Sequence, residues 1–173
     1  LGTALTIEQV RIISRFTNNI TLLFDGDSAG VKAAIKGVDL VLKEGLNVRV
    51  VVLPEGEDPD SYARSHSADQ IREYISANQK DFITFKSSLY AAEVAKDPIR
   101  KGELIADIVN SIALIPNKIQ RSVFIKECAR IMDIDESIVV SEVVRKSVGT
   151  RYGDEAREFV RREQAQRERS EKA

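Results

Sequence analysis

The amino-acid sequence predicts a short parallel α/β sheet with flanking helices, followed by an all-α helical subdomain. Two runs of strand length, Ile20-Thr21-Leu22-Leu23-Phe24 and Val48-Arg49-Val50-Val51-Val52-Leu53, are largely apolar, and the segment between them has helical period. Beyond Asp60 the apolar residues recur only at helical spacing. A strand, a helix and a strand within one βαβ length make the two strands parallel, joined by a right-handed crossover.

Each element has its own local signals. Ile7 to Phe16 reads as a short helix, with Thr6 as N-cap and Gln9 three positions on, the spacing of a capping box. The first apolar run follows and ends in Asp25-Gly26-Asp27; a run of this kind suggests a strand buried on both faces. From Ser28 the period changes, and Val31, Ala34, Ile35, Val38, Val41 and Leu42 share one helical face until Gly45 stops it. The second run ends at Pro54. Further helices are expected at 68–78, 81–95, 99–114, 117–131 and 136–147, with Pro98 and Pro116 at helix starts. Their inward stripes are Ile105, Ile108, Val109 and Ile112, then Ile119, Val123, Phe124 and Ile131. From Arg151 the chain mixes Arg and Glu with only Phe159 and Val160 as large apolar anchors, the pattern of an exposed helix or linker.

Composition excludes several classes. The chain of 173 residues is 31% charged, yet its net charge is only -1. That balance argues against an unspecific basic nucleic-acid binder, whose affinity comes from a large positive excess. One cysteine permits neither an intrachain disulfide nor a cysteine-rich zinc site, and no stretch approaches the roughly 20 apolar residues that span a bilayer. A reducing, cytoplasmic setting fits. The opening Leu1-Gly2-Thr3-Ala4-Leu5-Thr6 has no signal-peptide pattern and reads as the interior of a longer protein.

The acids carry the chemistry. Asp25 and Asp27 follow the first strand; Glu55, Glu57, Asp58 and Asp60 follow the second. In a parallel sheet both turns open at one edge, where ligands usually bind. Two carboxylates held about 4 Å apart repel by roughly 4 kcal/mol at an effective dielectric near 20. They are therefore protonated, splayed into water or neutralised by a cation. Oxygen ligands without histidine or cysteine suit a hard ion, Mg²⁺ or Mn²⁺. The competing structural reading is that Asp27 or Ser28, and Asp58 with Pro59, are helix caps.

Phe24-Asp25-Gly26-Asp27-Ser28-Ala29-Gly30, then Ala33-Ala34, then Leu53-Pro54-Glu55-Gly56-Glu57-Asp58-Pro59-Asp60 resembles the TOPRIM segment of bacterial DnaG-type primases. The string Ile115-Pro116-Asn117-Lys118-Ile119-Gln120-Arg121 resembles the helical end of the primase polymerase core. The resemblance implies a partial TOPRIM metal-binding domain at 1–65, a helical subdomain of the polymerase core at 66–148, and a charged helix or linker at 149–173. It implies that Asp25, Asp27, Asp58 and Asp60 bind Mg²⁺ or Mn²⁺, and that Asp25, Asp27 and Asp58 serve catalysis. Gly26 then permits the tight turn, and Gly30 lets the helix approach the sheet.

The implied reaction is template-directed synthesis of short RNA primers on single-stranded DNA from nucleoside triphosphates. The implied helicase contact lies in a C-terminal domain that the chain lacks. The family's TOPRIM domain also uses a glutamate in a Glu-Gly-Tyr-like strand, and no such segment occurs in this sequence. The chain alone is therefore expected to be inactive, to bind metal weakly and, with an uncovered strand edge, to self-associate.

Rival readings are another TOPRIM enzyme of topoisomerase, repair or nuclease type, a haloacid-dehalogenase-type phosphatase, a receiver domain, and a non-catalytic helical interaction module. The phosphatase reading expects Asp-x-Asp-Gly-Thr, whereas Ser28-Ala29-Gly30 follows here. His66 is expected to be a surface or capping residue, and Cys128 buried packing.

Overall fold

A computed structural model describes residues 4–94, 96–149 and 162. The charged tail expected at 149–173 therefore lies outside the described residues, apart from 149 and 162.

Helix α1 (Ile7–Ser14) carries the expected capping box: Gln9 N donates to Thr6 Oγ1 at 3.3 Å, and Thr6 N donates to Gln9 Oε1 at 3.0 Å. Strands β1 (Asn19–Phe24) and β2 (Asn47–Val52) pair in parallel, Asn19 opposite Asn47 through Phe24 opposite Val52. Between them runs α2 (Ser28–Lys43), whose buried face includes Ala34, Val38, Val41 and Leu42. Its end is set by Gly45 at φ 79°, a left-handed conformation that glycine adopts without steric cost.

Six helices complete the described chain: α3 (Pro59–Ser65), α4 (Ala68–Asn78), α5 (Phe82–Val94), α6 (Pro98–Leu114), α7 (Lys118–Met132) and α8 (136–149). Five of them match the expected ranges to within a residue or two. One core runs through the sheet and the helices, from Val10, Val38 and Val50 to Phe82, Ile108, Ile112, Cys128 and Val143. Lys80 forms an antiparallel bridge with Val50, so β2 has β1 on one side and this bridge on the other.

Three expectations need correction. β1 is not buried on both faces: only Leu22 along it is buried, because among the described residues β1 pairs with β2 alone. The α7 stripe is displaced. Ile119 and Val123 are 77% and 61% exposed, whereas Ile125, Cys128, Ala129 and Met132 are buried. At about 100° per residue, Val123 lies roughly 160° around the helix from Ile125 and faces away from the core. Finally, Pro116 precedes the α7 cap, Asn117, whereas Pro98 is the first residue of α6.

Candidate metal centre

The two acidic turns lie at one sheet edge. Leu53 N donates to Phe24 O at 2.9 Å, continuing the ladder past the strands, and Gly26 N makes a long contact with Glu57 O at 3.5 Å. Gly26 is required for this approach. A Cβ there would lie 2.4 Å from Leu53 O and 2.5 Å from Pro54 O, so close backbone passage, not a left-handed φ, excludes a side chain. Gly30 meets the same constraint, with its added Cβ 2.2 Å from Asp25 O. The glycine spacing thus packs the first turn against both its own helix and the second turn.

Local hydrogen bonding then orients the carboxylates. Asp27 caps α2, its Oδ1 accepting from Gly30 N at 2.6 Å. Asp58 caps α3, its Oδ1 accepting from Ser61 N at 2.8 Å, with Pro59 in the first turn. Ser61 Oγ accepts from Asp58 N and donates to Glu57 Oε2 at 2.7 Å. Asp60 pairs with Arg64 at 2.7 Å; both side chains are about three-quarters exposed, so the pair contributes little. Asp25 is half-buried and, among the described residues, has no hydrogen bond or ion pair. The capping reading of Asp27 and Asp58 is therefore correct, and it leaves the second oxygen of each carboxylate open.

Among the described residues, no three histidine, cysteine, aspartate or glutamate side chains form a group that could hold an ion. The donor chemistry nevertheless fits a hard cation. Asp25 offers both oxygens, Asp27 and Asp58 one each, and Mg²⁺ is commonly held by one or two carboxylates with water and substrate phosphate completing its shell.

Aromatic residues back this edge. The Tyr62 and His66 rings stack at 3.9 Å, and Tyr74 donates its hydroxyl to Val52 O at 3.0 Å. Burial, with Tyr62 alongside, holds the Tyr74 hydroxyl above its usual range. His66 ends α3, with Nδ1 at 3.0 Å from Tyr62 O, the capping role expected of it.

One polar network lies apart from the acidic turns. Lys86 is fully buried and bonded to Ser111 and Asp107. Its signal was a lysine inside the otherwise apolar run Phe82-Ile83-Thr84-Phe85-Lys86.

Residues 1–63 match the Toprim-like family, and residues 90–137 match the family described as the DnaB-helicase binding domain of primase. A DNA primase of Staphylococcus epidermidis is 32% identical over 143 residues, 83% of this chain and 24% of that protein. A DNA primase domain from Pseudomonas aeruginosa superposes with a TM-score of 0.69 at 27% identity, covering 85% of this chain and 46% of that one. The Aquifex aeolicus primase structure, comprising zinc-binding and RNA polymerase domains, gives 0.65 at 26% identity, over 82% and 33% of the two chains. The chain spans about a quarter of the length of the curated relatives it matches. The second family match falls on α5, α6 and α7 and the start of α8, within the range read above as the helical end of a polymerase core. A helicase-binding family thus matches within the chain, whereas the sequence expectation puts helicase contact only in a further C-terminal domain.

Proposed function

This chain is a segment of a bacterial DnaG-type primase in sequence and fold, and from that premise we propose that it supplies the aspartate-bearing part of the metal centre with which a primase makes short RNA primers. In this reading residues 1–65 are the partial TOPRIM domain and 66–148 the helical subdomain. Asp25 and Asp27 bind Mg²⁺ or Mn²⁺ directly, Asp58 adds a third carboxylate, and Asp60 stands further out because Arg64 already pairs with it. The observation that carries the reading is Asp25: a half-buried carboxylate without a partner among the described residues, in a turn held against the second acidic turn. A divalent ion bound there would neutralise triphosphate charge and assist attack by a 3′ hydroxyl.

The chain's own residues have simpler tasks. Asp25 presents two oxygens, the α2 and α3 caps fix the rotamers of Asp27 and Asp58, and the two glycines keep the turns together. Single-stranded DNA, nucleoside triphosphates and the RNA primer are the partners of the whole enzyme, in the cytoplasm. The match over 90–137 supports a replicative helicase as a further partner. Among the described residues the three aspartates are not gathered into a ready-made group, which implies weak metal binding and no turnover by these 173 residues alone.

Titration of the chain with Mn²⁺, followed by loss of the free-ion paramagnetic signal, tests the assignment. Weak saturable binding that Asp25→Asn abolishes is expected. Equal affinity in the wild type and Asp25→Asn would overturn it. Primer synthesis by the chain alone would refute the incompleteness of the centre.

A further inference from the structure

The buried Lys86 joins parts of the chain that neither family match joins. It lies on α5, between the Toprim-like residues 1–63 and the helicase-binding match at 90–137. Lys86 Nζ donates to Ser111 Oγ on α6 at 2.6 Å and pairs with Asp107 Oδ2 on α6 at 3.2 Å. Ser111 Oγ in turn donates to Asp39 Oδ1 on α2 at 2.7 Å, with the Lys86 nitrogen 3.9 Å from that oxygen. One ammonium thus connects three helices, and through Ser111 it reaches the helix that begins at Asp27.

The exposures decide what this network does. The Lys86 side chain is 0% exposed, whereas Asp39 and Asp107 are 40% and 44% exposed. Taking a lone ammonium out of water is costly, and a well-packed apolar residue of similar volume serves stability as well or better. Shape alone fills the surrounding core: Phe82, Ile83, Ile108 and Ile112 are buried around this level of α5 and α6. What an apolar residue cannot supply is direction. The Ser111 hydroxyl bridges the ammonium to Asp39 in only one setting of the helices, and a one-turn slip of α6 along α2 would carry that hydroxyl away from Asp39 and break the relay to α2.

We infer that Lys86 is a register lock: it fixes the seat of α5 and α6 on α2, coupling the helical region to the helix that carries the acidic turn. The lock is independent of what the chain catalyses.

Hydrogen exchange on the full chain tests it, comparing the wild type with Lys86→Met and Ser111→Ala. Lys86→Met removes the charge at nearly constant volume, and the exposed acids rehydrate. The expected result is faster exchange by roughly five- to tenfold in residues 34–43 and 104–113 together, with β1 and β2 unchanged. Ser111→Ala removes the hydroxyl that links Lys86 to Asp39 but leaves the Asp107 pair, and should give a smaller change in the same two segments. Unchanged exchange in those segments overturns the lock. A uniform acceleration that includes both strands also overturns it, since that marks a residue supporting the core in general. Should Lys86→Met not fold, Ser111→Ala decides alone on the same criterion.

Discussion

Gly26→Ala isolates the contact on which the candidate centre depends. The new Cβ would lie 2.4 Å from Leu53 O, 2.5 Å from Pro54 O and 2.7 Å from Pro54 C, all backbone atoms that no rotamer change can move aside. Ordinary carbon–oxygen contacts begin near 3.3 Å, so the second turn must withdraw by about 1 Å. Overpacking of this kind costs about 1–3 kcal/mol. The long Gly26 N to Glu57 O contact is lost as well, at no more than about 1 kcal/mol. The sum, about 1–4 kcal/mol, corresponds to a fall in Tm of roughly 2–16 °C for a chain of this size.

Gly102→Ala is the internal control. Gly102 lies in α6 with nothing within 4 Å of an added Cβ, and alanine is favoured over glycine in a helix by about 0.8–1.0 kcal/mol. Its Tm should rise by roughly 2–4 °C. Thermal unfolding followed by circular dichroism therefore gives shifts of opposite sign for one substitution at two glycines. Equal shifts would refute the close passage of the two turns.

Other substitutions probe the remaining assignments. Asp58→Ala should cost about 1 kcal/mol through loss of the α3 cap, whereas Asp58→Ser should keep the cap, retain Tm and still weaken Mn²⁺ binding. A Tm for Asp58→Ser as low as that of Asp58→Ala would show that the carboxylate does more than cap. Burial pushes the Cys128 thiol up to about 11 from an ordinary 9.0. The folded state therefore holds this proton when the unfolded state has lost it, and stability should decline as pH rises from about 9 to 11. At pH 8, alkylation of Cys128 should track global unfolding; rapid native alkylation would contradict its burial. Exposed Phe16 and Ile12, shortly before β1, together with a β1 edge that is unpaired among the described residues, should promote self-association, and Phe16→Glu should shift light scattering toward the monomer. A wild type that stays monomeric across a dilution series would contradict this.

Much of the fold was legible because its signals are local. The Thr6 box, the Gly45 stop, the two apolar runs and the proline of α6 each act within a few residues, and each formed where expected. The face of α7 is not legible locally because its sequence offers two overlapping apolar stripes, and only packing against α5 and α6 selects the one through Ile125 and Cys128. The exposure of β1 is likewise set by pairing, since among the described residues only β2 lies beside it, and not by its own residues. Lys86 was illegible for the same reason. Its nearest partner, Ser111, lies 25 residues away, and that serine bonds to an aspartate 72 residues from it.

The acidic turns show why the capping and ligating readings of one motif need not compete. A helix cap uses a single carboxylate oxygen, since one orphan N–H near the first turn is its target. Asp27 and Asp58 each give Oδ1 to that task. The cap therefore fixes the side chain in one rotamer and leaves Oδ2 directed by the same bond. A flexible exposed aspartate would have to lose that freedom on binding an ion, whereas a capped one has lost it on folding. Serine or threonine would cap equally well at these positions but would bring one oxygen and no charge. Aspartate is the residue that can hold the helix and still present an anion, so finding the cap removes no support from the metal reading. The decisive residue becomes Asp25, whose carboxylate caps nothing and has no partner among the described residues.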